Sequence, residues 1–335
     1  MMFYKIIFIF CLMIGSLISI SSSTWMGMWM GLEINLLSII PLMNNKKNIY
    51  SSEASMKYFI TQALASTIIM FSIISMSKIN SLIWLNNSMM LIFNSALLTK
   101  MGAAPFHFWF PEVMEGLSWI NCLILLTWQK LAPMILVMYN MNYPMFFSMI
   151  ICLSLLISGI LGINQISLRK IMAYSSINHI GWMISSMFFI NSLWMYYFLI
   201  YSIISMNLIF MFNLFNIFFI KQLISLNSFN FINKFIFIFN FMSLGGLPPF
   251  LGFMPKWMTI QNLIMQKFYF ISLIMTSLTL ITLFFYIRIT YSTLMFNTNE
   301  FNFKIKNFYN SNLLMLFNSI TIMGLIICTS LFNTF

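Results

Sequence analysis

Apolar residues in this chain run in blocks of about twenty, separated by short polar turns. A bilayer crossing by a helix needs ~20 mostly apolar residues. The blocks therefore predict helices near 3–22, 25–43, 56–77, 81–103, 118–139, 144–163, 168–189, 193–218, 234–262, 268–289 and 311–333, eleven in all. The fourth block carries Asn86, Asn87 and Asn94, and the ninth is interrupted by Gly and Pro. The first block has no A-x-A-like cleavage site and leads straight into the second, which predicts a retained helix rather than a signal peptide. The short connections leave no room for an extramembrane domain.

Composition removes the soluble alternative. Of 335 residues, 61% are hydrophobic and 6% charged, where a soluble domain carries about 25% charged residues. A mean hydropathy of +0.93 also excludes disorder. The net charge of +11 comes from 16 Lys and Arg against five Glu, with no Asp. These cations form no patch, so a nucleic-acid partner is not expected. They are instead sorted by side. With eleven crossings, one face receives Lys5, Lys46, Lys47, Lys57, Arg169, Lys170, Lys221, Lys234, Arg288, Lys304 and Lys306, and the other only Lys78 and Lys267. That asymmetry is the positive-inside pattern, and it puts the N-terminus on the basic side and the C-terminus opposite. Cys11, Cys122, Cys152 and Cys328 sit singly in apolar runs, suggesting neither a disulfide framework nor a metal site. Two histidines are too few for bis-histidine haems.

Three lysines did not go to the loops: Lys100, Lys130 and Lys256. Glu33 is likewise deep in an apolar run. A charge at mid-bilayer costs about 2.5–3.5 kcal/mol on insertion scales, so four cost roughly 10 kcal/mol, comparable to the net stability of a domain. Structural ion pairs would be the ordinary explanation, but three lysines share one intramembrane acid. Desolvation disfavours the charged form of an amine, and an amine held in apolar surroundings can take up and release a proton near neutral pH. Proton transfer needs such groups. The seventh block adds Ser175, Ser176, Asn178 and His179, of which Ser175, Asn178 and His179 share a helical face. Imidazole titrates near neutrality without perturbation; an interhelical hydrogen bond is the competing explanation.

Six of the eleven residues from Gly245 to Pro255 are Gly or Pro: Gly245, Gly246, Pro248, Pro249, Gly252 and Pro255. A regular helix cannot pass through them, and irregular backbone at membrane depth must be satisfied by protein or a wet cavity. A shorter break holds Gly102, Pro105 and Pro111. Both segments read G-x-x-P-F-x-x-[W/F]-x-P, 144 residues apart. Chance matching is the alternative in a chain with 38 Phe. The segments fall on helices 4 and 9, and a repeat of five crossings gives the two copies opposite orientations, as in inverted-repeat transporters. The fold expected is an all-α polytopic membrane protein of about eleven transmembrane helices, with antiporter-like inverted five-helix repeats over 1–140 and 141–290, discontinuous helices 4 and 9, and a loop and last helix over 291–335. His107, Glu112 and Glu115 are expected at the interface where the fourth helix returns to the basic face.

The segments WMGLEINLLSIIPL (Trp29–Leu42), KMGAAPFHFWFPE (Lys100–Glu112), TWQKLAP (Thr127–Pro133), SLRKIMAYSSINHIGW (Ser167–Trp182) and SLGGLPPFLGFMPKW (Ser243–Trp257) resemble the chain 2 family of antiporter-like membrane-arm subunits of mitochondrial NADH:ubiquinone oxidoreductase, respiratory complex I. The abundance of Met, Phe, Ile and Asn resembles its insect or other arthropod members. The resemblance implies a multi-pass protein of the mitochondrial inner membrane with its N-terminus in the matrix and its C-terminus in the intermembrane space. It implies that Glu33, Lys100, Lys130, His179 and Lys256 carry protons. It implies that NADH, FMN, iron–sulfur clusters and ubiquinone belong to partner subunits, with no cofactor or metal bound by this chain. As partners it implies other membrane-arm subunits, with subunits 4 and 4L as neighbours, accessory subunits, and phospholipids including cardiolipin. The implied mechanism pairs Glu33 with Lys100, their separation setting how tightly Lys100 and then Lys130 hold their protons, and passes protons along Lys130, His179 and Lys256. Two other readings stay open on the residues: a stand-alone cation/proton antiporter, which would ordinarily show an intramembrane Asp, and a structural spacer without its own proton path.

Overall fold

A computed structural model describes residues 3–44, 48–78, 83–188, 190–225 and 231–295, together with the single positions 319 and 324. Apart from those two positions, the crossing expected over 311–333 lies outside the described residues, as do Lys46, Lys47, Lys304 and Lys306. The chain divides into two compact units, Met1–Met145 and Phe146–Phe335.

In the first unit, α1 (Phe3–Ser21) and α2 (Trp25–Met43) form a tight hairpin. Thr24 caps α2 by accepting from the Gly27 amide at 3.3 Å. The two helices touch backbone to backbone: a Cβ on Gly31 would lie 2.5 Å from Ser19 N and 2.8 Å from Gly15 O, the small-residue contact that membrane helices favour. Next come α3 (Ile49–Lys78) and α4 (Ile83–Met101), then a short α5 (Trp109–Gly116) beyond the first break. α3 packs on α2, α4 and α5.

The crossing expected as one helix over 118–139 is two pieces, α6 (Trp119–Leu126) and α7 (Trp128–Met138), joined at Thr127. Thr127 has φ −113° and ψ −72°, and its Oγ1 donates to Leu123 O at 2.8 Å. A hydroxyl that bonds the carbonyl one turn back competes with the backbone and bends the helix. Pro133, inside α7, has no N–H for the Gln129 carbonyl.

The second unit holds α8 (Pro144–Ile163), α9 (Leu168–Met187), α10 (Asn191–Phe215), the short α11 (Ile220–Ser225), α12 (Phe231–Gly245), α13 (Phe253–Met265) and α14 (Tyr269–Met295). α9 is its centre. Every residue from Ile171 to Met187 is buried, which lets a helix carrying serines, Asn178 and His179 sit at membrane depth shielded by neighbours. At one end of this unit the α8–α9 and α10–α11 connections are stitched together: the Leu168 amide donates to Phe218 O (2.9 Å) and the Ile220 amide to Ile166 O (3.2 Å). The end of α14 joins them through Arg288, which donates to Ile163 O at 3.5 Å.

Seven spans among the described residues, one of them made by α6 and α7 together, are long and apolar enough to cross a bilayer. The architecture is the all-helical, polytopic, antiporter-like one expected, with both Gly/Pro breaks in place.

Candidate functional site

The two breaks are built alike. α4 stops at Met101 and α12 at Gly245, and the next residue is in each case a glycine in the left-handed region, Gly102 at φ +74° and Gly246 at φ +75°. Gly102 N donates to Thr99 O (3.2 Å) and Ala103 N to Leu98 O (3.1 Å). Gly246 N donates to Ser243 O (3.0 Å) and Leu247 N to Met242 O (3.3 Å). Both are the paired bonds of a Schellman cap, which requires a residue at ease at positive φ. Pro105 follows the first cap, and Pro248 and Pro249 follow the second, preventing the helix from resuming. Gly252 precedes α13, and a Cβ there would run into the Ser243 carbonyl. Pro255 lies in the first turn of α13, where a missing N–H costs nothing.

The side chain that reaches the carbonyls of the stopped helix differs between the copies. At the first break, the Trp109 indole donates to Thr99 O at 3.0 Å. At the second, the Lys256 ammonium reaches back from α13 to Gly245 O at 2.9 Å and Leu244 O at 3.4 Å. These are terminal carbonyls of α12, the negative end of its dipole. Gly246 is therefore constrained twice, because a Cβ on it would lie 2.8 Å from Lys256 Cδ and 3.0 Å from Nζ. On its other side the ammonium lies 5.8 Å from the centroid of the Trp182 ring, a cation–π distance.

All three intramembrane lysines sit at such ends. Lys100 is the penultimate residue of α4, Lys130 the third residue of α7 and Lys256 the fourth of α13. All are buried, at 7%, 1% and 7% exposure. Lys130 therefore lies beside a break, not in the middle of an unbroken span. Its ammonium is 5.5 Å from the centre of the Phe110 ring.

Around Lys100 and Lys130 the first unit adds polar groups that sequence reasoning missed. Gln129 donates to Asn35 Oδ1 at 2.8 Å and accepts from the Tyr58 hydroxyl at 3.4 Å, and Gln62 donates to the Lys100 carbonyl at 3.4 Å. Glu33 is half-buried on α2. The ion pairs among the described residues do not include Glu33 with Lys100, so the expected pair is a separated one. A direct ion pair forms at Lys57 instead, whose ammonium is 2.9 Å from Glu53 and 3.0 Å from Glu112 with all three side chains well exposed. His107 is buried beside Pro105, its Nδ1 3.3 Å from that carbonyl.

In the second unit the structure surrounds His179 with tyrosines. Its Nδ1 lies 2.9 Å from the Tyr197 hydroxyl, and its ring centre 4.9 Å from that of Tyr201. Tyr201 and Tyr286 come up to Ser176 and Ser175. The serine hydroxyls themselves bond within α9, to Ala173 O and Met172 O, each at 2.7 Å. His179 and Trp182 stand three residues apart on one helix, so the imidazole and Lys256 share the wall that α9 presents. No sequence spacing marked these tyrosines, because they come from α10 and α14. Among the described residues no group of three His, Cys, Asp or Glu could hold a metal ion.

Similarity to known proteins agrees with this arrangement. The family model described as NADH:quinone oxidoreductase/Mrp antiporter, transmembrane, matches residues 22–282. The chain is 52% identical over 332 residues to NADH-ubiquinone oxidoreductase chain 2 of Anopheles gambiae, covering 97% of each. It is 46% identical over 334 residues to the protein of that name in Locusta migratoria, covering 98% of this chain and 96% of the relative. Among solved structures, a chain of respiratory complex I from Thermus thermophilus with bound aureothin superposes with a TM-score of 0.86 at 20% identity, covering 97% of this chain and 78% of that one. A chain of an archaeal membrane-bound sulfane sulfur reductase gives 0.81 at 15% identity, covering 96% and 72%. At such identities these two structures speak for the fold.

Proposed function

From the premise that the chain belongs to the NADH:quinone oxidoreductase/Mrp antiporter membrane family, we propose that Glu33, Lys100, Lys130, His179 and Lys256 are its proton-carrying groups. The chain is a core membrane-arm subunit of a proton-pumping NADH:ubiquinone oxidoreductase in the mitochondrial inner membrane. Its partners are other membrane subunits of that complex, and redox cofactors are taken to lie in those partners. The finer reading gives it subunits 4 and 4L as neighbours, cardiolipin among its lipids, and an N-terminus on the matrix side, as the loop charges suggest.

The observation that carries the proposal is the placement of three buried lysines, each beside a helix end. Half-helix ends at membrane depth present dipoles and unused backbone groups to an ion without burying a full counter-charge. Lys256 illustrates this: it is held by neutral carbonyls at 2.9 and 3.4 Å. A hydrogen bond to a carbonyl favours the ammonium, yet leaves the amine a donor after the proton departs. Such a site can load and unload without rearranging the helix. The separated Glu33–Lys100 geometry fits a charge that biases its neighbour through space. His179 lies within hydrogen-bond distance of the Tyr197 hydroxyl, and an imidazole can take up and release a proton near neutral pH.

The test is replacement of Lys130 or Lys256 by Met in the assembled complex, with the ratio of protons moved to NADH oxidised as readout. Each replacement should lower that ratio. Unchanged stoichiometry in both variants defeats the relay.

A further inference from the structure

At the stitched end of the second unit lies a cavity of about 770 Å³ between the α8–α9 connection, the start of α11 and the last turns of α14. Its floor is apolar: Ile163, Ile171, Phe285 and Ile289 line it, the last three buried. Its rim is cationic, with Lys221 and Arg288. Its described lining residues include no carboxylate. Lys221 is exposed. Arg288 uses one nitrogen on Ile163 O at 3.5 Å, leaving most of its five donors for another acceptor. The walls are preformed by the two backbone bonds joining Ile166–Leu168 to Phe218–Ile220 and by Gln222, whose Oε1 accepts from the Phe218 and Phe219 amides at 2.6 and 3.1 Å.

We propose that this cavity is a binding site for an anionic glycerophospholipid, its phosphodiester held between Arg288 and Lys221 and an acyl chain laid along α8 and α14. A guanidinium fork matches a phosphate in two-point geometry, and basic pockets between membrane helices on the positive side hold anionic headgroups. The apolar floor selects a lipid over free phosphate, which would leave that surface wet. The acyl track is the outward apolar surface beside the cavity, where Ile160 on α8 is 55% exposed and Phe284 on α14 is 57% exposed. α8 and α14 meet closely just below: a Cβ on Gly162 would lie 3.1 Å from Phe285 Cε1. The helices thus close the floor while the rim stays open. A lipid seated there would join two connections and the end of α14 in the unit that carries His179 and Lys256. The inference rests on the membrane placement given above and not on the proton relay.

The test uses the whole complex, delipidated and reconstituted in phosphatidylcholine bilayers containing photoactivatable phosphatidylglycerol, with labelled peptides identified by mass spectrometry. Labelling is expected in peptides spanning 160–166 and 284–292, falling about fivefold for each charge removed in Lys221→Gln and Arg288→Gln, the effect of losing one cation at an anionic headgroup. Arg288→Lys, which keeps the charge and loses the fork, should label between the two. Equal labelling by photoactivatable phosphatidylcholine, labelling indifferent to both Gln variants, displacement by inorganic phosphate, or cross-links to another subunit's peptides would each overturn the proposal. Proton stoichiometry is measured on the same samples and should stay unchanged in the Gln variants, which keeps a failure here distinct from a failure of the relay.

Discussion

Replacing Gly246 by Ala sets two effects against a control one residue away. At φ +75° an L-residue with a Cβ loses about 1–2 kcal/mol relative to a right-handed conformation. The same Cβ would lie 2.8 Å from Lys256 Cδ and 3.0 Å from its ammonium. The lysine must move, and the 2.9 Å bond to Gly245 O is of the charge-assisted kind worth about 1.5–3 kcal/mol. The combined loss is about 2.5–5 kcal/mol, enough to lower the Tm of the membrane arm visibly. Gly245→Ala is the control. That residue is the last of α12, and a Cβ there would meet Tyr286 Cδ2 at 3.6 Å and Leu283 Cγ at 3.8 Å. Both are ordinary contacts, so the change should fall within about 1 kcal/mol of neutral. Thermal unfolding of the purified complex and its ratio of protons to NADH are measured for both variants. Gly246→Ala should lose both stability and pumping, and Gly245→Ala neither. In a Lys256→Ala background the Gly246→Ala cost should shrink to the backbone part alone, a coupling that a double-mutant cycle reads directly. Equal behaviour of the two glycine variants, or additivity in the cycle, refutes the argument that the lysine is seated by this glycine.

Other outcomes follow from the same geometry. Tyr197→Phe removes the hydroxyl 2.9 Å from His179 Nδ1, at a net stability loss of about 0.5–1.5 kcal/mol, and should lower the proton ratio by freeing the imidazole. Gly31→Ala places a methyl against Ser19 N and Gly15 O, backbone atoms that cannot yield, and should separate α1 from α2 and reduce assembled complex on native gels. Glu112→Gln removes one of two exposed partners of Lys57 and should leave both Tm and pumping unchanged, since exposed ion pairs are screened by solvent.

Much of the site could be read from the chain because intramembrane charge is costly enough to stand out. Lys100, Lys130 and Lys256 interrupt apolar runs, and the glycines and prolines beside two of them dictate their own breaks. The interruption at Thr127 could not be read, since it contains neither Gly nor Pro and depends on a hydroxyl choosing its own helix's carbonyl over other partners. The tyrosines around His179 were silent for another reason. In a span rich in Phe and Ile, Tyr197, Tyr201 and Tyr286 look like apolar filling until α10 and α14 bring them together against α9. The Asn35–Gln129–Tyr58 chain is invisible for the same cause, each member coming from a different helix. Opposite charge is all that pairs Glu33 with Lys100 in the sequence, and charge alone does not set the separation of two side chains on different helices.

The duplicated stop at Gly102 and Gly246 has been finished with two kinds of fastener. An indole holds one copy, and it has no proton to give at any physiological pH, so that joint is a rivet. A primary amine holds the other and keeps its grip whether it bears two hydrogens or three, so that joint is a latch that can be worked without coming undone. One unit of the molecule thus has a fixed corner where the other has a corner whose fastener is a titratable group.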